Sequence, residues 1–328
     1  MTVEACRSGL AIMLSFRKGC LASGKSPNPL KSTMSFGRFM QMWDRINRVV
    51  HSHAVISACI PCIVFSSILL ALIVSLEILT LSGMAIVSTV VKLVLSAIVV
   101  WLMRKMQVFN TNNFSFGKMG ESLFLICVCV TFAIVALLFT FIMLPGNRFI
   151  APNPSDFLIV ALSQLLGVGV FEEVLFRGLV FKILLKKMGH SKRGLLSACA
   201  ISSVIFGMHH IVNIGSIVIN AENLSIGVVF PVISQIIYST AFGLLAVALF
   251  IRSGTLWIPI LIHGVGNLVV QTFVAFISRE KILHFIETPI VMSVPEFIIS
   301  TFMSAIPLLV AGLLLLRKVN PDNVQDSL

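Results

Sequence analysis

Two adjacent glutamates and an arginine lie inside a strongly apolar stretch, VFEEVLFRGLVF, at residues 170–181. Such charges point to a functional site, because each costs about 2.5–3.5 kcal/mol at the centre of a membrane helix. Glu173 and Arg177 are four residues apart, in the order that favours an ion pair on one helix face. Glu172 is rotated by about 100° from Glu173, which predicts that it faces a polar cavity or another helix. In the alternative interpretation, all three charges lie at the cytoplasmic interface, where their cost is small.

Two further apolar stretches carry histidines. SVIFGMHHIVN places His209 beside His210, with Phe206 one turn before His210. LIHGVGNLV places His263 and Asn267 four residues apart and therefore on one helix face. A neutral imidazole can take up a proton near physiological pH or bind a metal. The alternative is that these side chains only form hydrogen bonds that hold neighbouring helices together.

Glu172, His210, His263 and Asn267 are together suited to hydrolysis. A carboxylate or an imidazole can remove a proton from water as the water attacks an amide, and polar donors can receive the negative charge that develops on oxygen. These residue types predict a polar hydrolytic site inside a helical bundle, without specifying its substrate.

The elements that must position these residues are membrane helices. Hydrophobic residues make up 57% of the 328-residue chain and charged residues 11%, with a mean hydropathy of +1.03, which excludes a soluble domain with a polar surface. Apolar runs of about 20 residues, long enough to cross a bilayer as helices, recur along the chain. We predict an all-α, polytopic membrane bundle of about eight transmembrane helices, at residues 54–81, 84–103, 121–144, 156–177, 194–217, 226–251, 256–278 and 288–316.

The basic residues predict how this bundle is oriented. Twenty of the 24 Lys and Arg residues fall on one side of the eight predicted spans and three on the other, with Lys92 inside a span. Because positive loops stay in the cytoplasm, both termini are predicted to be cytoplasmic. The net charge of +11 then faces anionic lipid headgroups, so the lipid bilayer is an expected partner and nucleic acid is not.

Small residues in the predicted spans are read as packing features. Cys59 and Cys62 form a C-x-x-C pattern inside an apolar helix, with no second cysteine pair, and are interpreted as small buried hydrophobes. Gly264 and Gly266 are expected to let a neighbouring backbone approach closely.

Three other polar residues of the spans have no motif around them. Lys92 is predicted to pair with Glu77 across a short turn. Glu296 follows Pro295 near a predicted kink and could line a cavity, and Gln164 could line one two turns before the glutamates.

Three motifs on separate spans, in this order, resemble those of a known family. They are E-E-x-x-x-R at Glu172, Glu173 and Arg177, F-x-x-x-H from Phe206 to His210, and H-x-x-x-N from His263 to Asn267. This arrangement is similar to the CPBP family, the type II CAAX prenyl endopeptidases and their prokaryotic relatives linked to bacteriocin processing and immunity. The resemblance covers about residues 155–275.

The resemblance implies an intramembrane endopeptidase with an eight-helix core and a site open toward the cytoplasm. Its substrate would be a membrane-anchored peptide or protein, of CAAX type in part of the family. Glu172 and His210 would activate the water, and His263 and Asn267 would stabilise the oxyanion. The motif residues with supporting or substrate-positioning roles would be Glu173, Arg177 and Phe206.

The resemblance leaves the question of a metal open. A zinc ion could be held by Glu172, His210 and His263, which would be a three-ligand site with an open position. A metal-free mechanism with a glutamate as the base fits the same residues.

The chain is accordingly divided into four parts. These are a basic N-terminal cytoplasmic segment (1–53), N-terminal transmembrane helices (54–150), the CPBP-like catalytic core (151–280), and the last transmembrane helix with a short cytoplasmic tail (281–328). We expect a multi-pass protein of a bacterial plasma membrane rather than of a eukaryotic endomembrane.

Two other functions fit the same composition. One is a non-proteolytic membrane protein of the same fold that confers immunity or acts as a scaffold. The other is a proton-coupled transporter, because buried Glu and His also form proton relays. Transporters are more often built from repeated halves, and no repeat is visible here.

Overall fold

The computed structural model describes residues 53–75, 81–116, 127, 154–212, 226–275, 292–317, 319–321 and 324. These residues fall within one unit, Asn47–Leu328. All regular structure among them is helical, so the all-α prediction is confirmed for this part of the chain. Apart from Cys127, the predicted span 121–144 lies outside the described residues, as does the basic segment 1–52.

Seven helices form the described part of the bundle. They are α1 (Ala54–Ser75), α2 (Leu81–Lys105), α3 (residues 154–188), α4 (Lys192–His209), α5 (Ile226–Ser253), α6 (Trp257–Ala275) and α7 (Val294–Leu316). Each overlaps a predicted span. Four of them contain stretches long and apolar enough to cross a membrane, namely Ala85–Lys105, Leu158–Met188, Ile226–Ser253 and Val294–Leu316. The figure of eight spans and the orientation stay predictions.

The helix that carries the two glutamates is irregular. Along α3, ordinary α-helical turns alternate with two π-helical segments, Ser163–Gly169 and Val174–Val180. Between these segments lies a single α-helical turn, Val170–Glu173. Since π-helical turns insert an extra residue into the helix and often occur at functional sites, the irregularity re-aims side chains next to the glutamates.

Two glycines of α3 bring it against α2. A Cβ atom at Gly167 would lie 3.2 Å from Thr89 Oγ1, and one at Gly178 would lie 3.1 Å from Met103 Sδ. Both contacts advance in the same direction along the two helices, so α2 and α3 run parallel. Their basic C-terminal ends therefore lie at the same end of the bundle, as alternating predicted spans require.

The C-terminus of α2 is closed by a Schellman motif. The amide of Val108 donates to Met103 O at 3.0 Å, and the amide of Gln107 donates to Arg104 O at 3.2 Å. Gln107 occupies the left-handed position of this motif with φ 56°, where glycine is the usual residue. The motif turns the chain sharply out of α2.

The loop after α2 anchors the turn between α5 and α6. The Asn113 side chain donates to Gly254 O at 3.1 Å, and the amide of Leu256 donates to Asn113 O at 2.7 Å. The Trp257 indole donates to Phe114 O at 2.9 Å. These bonds hold the first turn of α6, the helix that carries His263.

Close backbone contact joins α3 and α6. A Cβ atom at Gly264 would lie 2.9 Å from the Cα atom of Leu165, whereas one at Gly266 would meet no atom of the described residues within 4 Å. The expectation of close approach is therefore confirmed for Gly264, whereas no described residue approaches Gly266 in this way. The two glycines differ because they are two residues, about 200°, apart around the helix.

Helix α7 begins later than predicted. Ser293 and Glu296 form a capping box, in which the Ser293 amide donates to Glu296 Oε2 at 2.8 Å. Glu296 is exposed, so its interpretation as a cavity residue is wrong. The predicted start at residue 288 is also too early, because the helix begins with its cap at Ser293 and Pro295 in its first turn.

Candidate active site

Glu173 lies at the centre of the polar cluster. Its Oε1 atom accepts a hydrogen bond from Arg177 Nη1 at 3.0 Å and another from His263 Nδ1 at 2.7 Å. The predicted ion pair within α3 is thus confirmed, and it extends to α6. The side chains of Glu173 and Arg177 are 0% and 1% exposed, so water does not solvate these two charges. The alternative that the three charges lie at the cytoplasmic interface stays a prediction.

Arg177 connects three helices. In addition to its pairing with Glu173, it donates from Nη2 to Gly243 O of α5 at 3.4 Å. Its guanidinium lies over the Phe206 ring of α4, 4.4 Å from the ring centre. A buried guanidinium with a carboxylate, a carbonyl and an aromatic face around it is well compensated. Arg177 therefore organises the packing around the cluster.

Glu172 faces another helix, one of the two surroundings predicted for it. Its Oε2 atom lies 3.8 Å from His263 Nε2, and the side chain is 14% exposed. Within the described residues this Oε2 atom is buried and has no hydrogen-bond partner. The carboxylate also interacts electrostatically with His210, His209 and Lys92. It is thus the point where potentially cationic groups from three helices converge.

The hydrogen bonds of two histidines determine which ring nitrogen is available. His263 Nδ1 meets the Glu173 carboxylate, and His210 Nδ1 lies 3.1 Å from Phe206 O. Because a carboxylate and a carbonyl only accept hydrogen bonds, each Nδ1 carries the proton. The Nε2 atoms of His263 and His210 are therefore the positions open to a reactant.

His209 has a partner that sequence reasoning missed. Its Nδ1 atom lies 2.6 Å from Ser66 Oγ of α1, and that hydroxyl lies 2.6 Å from Cys62 O. Since the carbonyl takes the hydroxyl hydrogen, His209 Nδ1 donates to Ser66. The imidazole is thereby tied to α1. The sequence around Ser66, one turn after a buried cysteine, contains no pattern that predicts this contact.

Phe206 contacts both candidate catalytic imidazoles. Its ring lies edge-to-face with His210 at 5.3 Å and with His263 at 5.8 Å between ring centres. The same phenylalanine faces the Arg177 guanidinium. Asn267 is half-buried on α6, one turn beyond His263. The structure thus brings together the glutamates, His210 and His263, with Phe206 in contact with both imidazoles.

Lys92 belongs to the surroundings of this cluster. The predicted partner Glu77 lies outside the described residues. Lys92 is half-buried on α2 and interacts electrostatically with Glu172. The sequences of the two separate spans do not predict that α2 and α3 are in contact. Gln164, the other isolated polar residue, is half-buried in the first π-helical segment.

The described residues do not form a metal site as they are placed. No group of three or more His, Cys, Asp or Glu side chains in this part of the chain is arranged to hold a metal ion. Glu172, His210 and His263 supply suitable donor atoms without forming such a group. The zinc-assisted alternative stays a prediction.

The fold and the cluster define a class, a helical integral membrane protein with buried Glu and His side chains from separate helices. Residues 154–269 match the family described as type II CAAX prenyl endopeptidase Rce1-like. The resemblance seen in the motifs is therefore confirmed for residues 154–269, the part of the chain that this family matches, and a family of this description implies a peptidase. No curated protein and no solved structure shows significant similarity to the chain.

Proposed function

We propose that this protein is an intramembrane endopeptidase that hydrolyses a peptide bond of a membrane-associated, CAAX-type substrate. One observation carries the proposal. The buried Oε2 atom of Glu172, to which no described group donates, lies 3.8 Å from an imidazole nitrogen whose ring is held by a second carboxylate. A buried carboxylate acceptor next to such a ring suits a water-activating base.

In the first step, water attacks the carbonyl carbon of the scissile amide. Glu172 takes a proton from the water as the carbon–oxygen bond forms. His210 helps to activate the water through its Nε2 atom, because its Nδ1 atom carries the hydrogen that Phe206 O accepts. The carbonyl double bond becomes a single bond to an oxyanion.

The oxyanion needs donors, and α6 supplies them. His263, when protonated, carries a hydrogen on Nε2 that can point to the developing charge. The Glu173 carboxylate at Nδ1 stabilises that cation and fixes the ring orientation. Asn267, one turn further along α6, supplies a side-chain amide. Donors held in place before the reaction stabilise the charge without reorganisation.

In the second step the tetrahedral intermediate collapses. The carbon–nitrogen bond breaks, and the proton held by Glu172 passes to the leaving amine. The products are a carboxylic acid and a free amine, and Glu172 returns to its carboxylate form. One group thus serves as base and then as acid.

The test is cleavage of a prenylated peptide with a C-terminal CAAX sequence by the full chain in liposomes. We expect Glu172→Gln and His210→Ala to lower the rate at least about 100-fold, which is the usual loss for a general acid–base group. His53→Ala is the matched control, because His53 is exposed at the start of α1. Parallel reactions with a zinc chelator test the metal alternative, and loss of activity in the wild type would favour it.

Full activity in both site variants would refute the assignment of the base. If prenylated, unprenylated and other membrane-anchored peptides are all left intact by wild-type protein that is folded, the proposed activity is wrong. The non-proteolytic scaffold function would then be favoured.

A further inference from the structure

A cavity of about 540 Å³ opens between the ends of α2 and α3, away from the glutamate cluster. Its walls come from the loop after α2 and from the last turns of α3. Two lysines, Lys182 and Lys186, and one histidine, His190, line it, and none of its lining residues is acidic. A concave site with this charge is complementary to an anion.

Lys182 is the central feature of the cavity. It is 3% exposed, and its ammonium group donates to Val108 O at 3.0 Å and to Asn113 Oδ1. Within the described residues no carboxylate lies within ion-pair distance of it. An ammonium group has three hydrogens, so one remains for a ligand after these two bonds. A buried positive charge without a counterion is costly, and a bound anion would offset that cost.

Two further cations lie near this cavity. Lys186, one turn after Lys182, reaches Met106 O at 3.4 Å and is exposed. Arg104 lies over the ring of Phe109, a residue of the cavity wall, at 4.7 Å from the ring centre. The charges thus come from the C-terminal ends of both helices, α2 and α3.

The position of the cavity indicates the kind of anion. Lys105 ends α2 and Met188 ends α3, so the opening lies near the basic ends of two parallel helices. Basic residues at this level meet the phosphates of anionic lipids. Val108, Phe109 and Leu185 add an apolar wall beside the cations, which suits an amphiphile.

We propose that this cavity, formed around Lys182 and Lys186, binds the phosphate group of an anionic phospholipid. The site is independent of the proposed peptidase reaction, because its residues belong to neither the glutamate nor the histidine motif. Its occupant would join the loop after α2 to the end of α3. That loop also anchors the start of α6, so lipid binding stabilises the bundle.

The experiment follows thermal unfolding of the full chain in a neutral detergent while lipid is added. We expect phosphatidylglycerol to raise the midpoint, and phosphatidylcholine at equal amounts to have little effect. Binding to the folded state alone stabilises it according to ligand concentration and dissociation constant. A parallel titration with inorganic phosphate at constant ionic strength distinguishes a lipid phosphate from a soluble one.

Lys186→Gln and Lys187→Gln form a matched pair. Both residues are exposed and carry the same charge, but only Lys186 lines the cavity. We expect Lys186→Gln to raise the half-maximal lipid concentration about fivefold, as for one charge near a membrane surface, with no change in Lys187→Gln. Lys182→Met should abolish the response, and if that variant does not fold, the matched pair decides.

A response to phosphatidylglycerol that Lys186→Gln selectively weakens supports the lipid site. A response to inorganic phosphate alone, weakened in the same way, supports the phosphate site with a soluble occupant. The proposal is overturned if neither ligand stabilises the protein. Equal effects of Lys186→Gln and Lys187→Gln also overturn it, because diffuse surface charge would then explain the binding.

Discussion

Glu173 and His263 are joined by a hydrogen bond of 2.7 Å between Oε1 and Nδ1, although they are 90 positions apart in the chain. The bond leaves His263 Nε2 facing Glu172. Because the same Glu173 oxygen also accepts from Arg177, one carboxylate serves both the packing of the bundle and the orientation of a candidate catalytic ring.

These two roles of Glu173 are separable. We expect Glu173→Gln to lower the free energy of unfolding by about 3–5 kcal/mol, because it leaves the buried Arg177 charge uncompensated. Adding Arg177→Met should restore most of this stability, since the uncompensated Arg177 charge is then removed. Activity should stay low in the double variant, because His263 still lacks its carboxylate. The measurements are thermal unfolding and peptide cleavage, and recovery of activity with stability would show that Glu173 only supports the fold.

Close packing of α6 on α3 predicts a contrast between two glycines. Gly264→Ala places a methyl group 2.9 Å from the Leu165 Cα atom, so the helices must separate. We expect a loss of about 1–3 kcal/mol in stability and reduced cleavage, because His263 precedes this contact. Gly266→Ala is the control, since a Cβ atom there meets no atom of the part of the chain that the structure describes within 4 Å. Equal stability of the two variants would contradict the observed helix contact.

The bond between Ser66 and His209 gives a second matched pair. We expect Ser66→Ala to cost about 1–3 kcal/mol, because it leaves His209 Nδ1 buried without its partner. Ser67→Ala should have little effect, because that hydroxyl is exposed and its partner among the described residues is Ile63 O. Chemical unfolding in detergent measures the stability of both variants. If Ser66→Ala leaves the stability unchanged, His209 is not held by α1.

The turn after α2 should be improved by glycine. Gln107 has φ 56°, a left-handed conformation that costs an ordinary residue about 1–2 kcal/mol. We expect Gln107→Gly to raise stability by about 1 kcal/mol. Gln164→Gly should lower it by a similar amount, because that residue lies within helix α3. A fall in stability in Gln107→Gly would refute the inferred strain.

The class of fold and most of the candidate site could be predicted from the sequence. Long apolar runs require helices in a membrane, and the spacing of Glu173 and Arg177 requires a shared face. The sequence does not distinguish a cap at Glu296 from a residue that lines a cavity. A glutamate near an apolar run has the same local pattern in both cases. Only the position of Ser293 relative to the helix start separates the two.

The sequence by itself determined an all-helical membrane protein with Glu172, His210 and His263 on separate helices, because hydropathy and motif spacing are local properties. The tertiary structure alone decided that Glu173 bridges Arg177 and His263, that Ser66 holds His209, and that Gly264 packs closely against another helix. These contacts depend on how the helices are rotated about their axes and on the π-helical turns of α3. Both are set by packing between distant segments, which no single stretch of sequence contains.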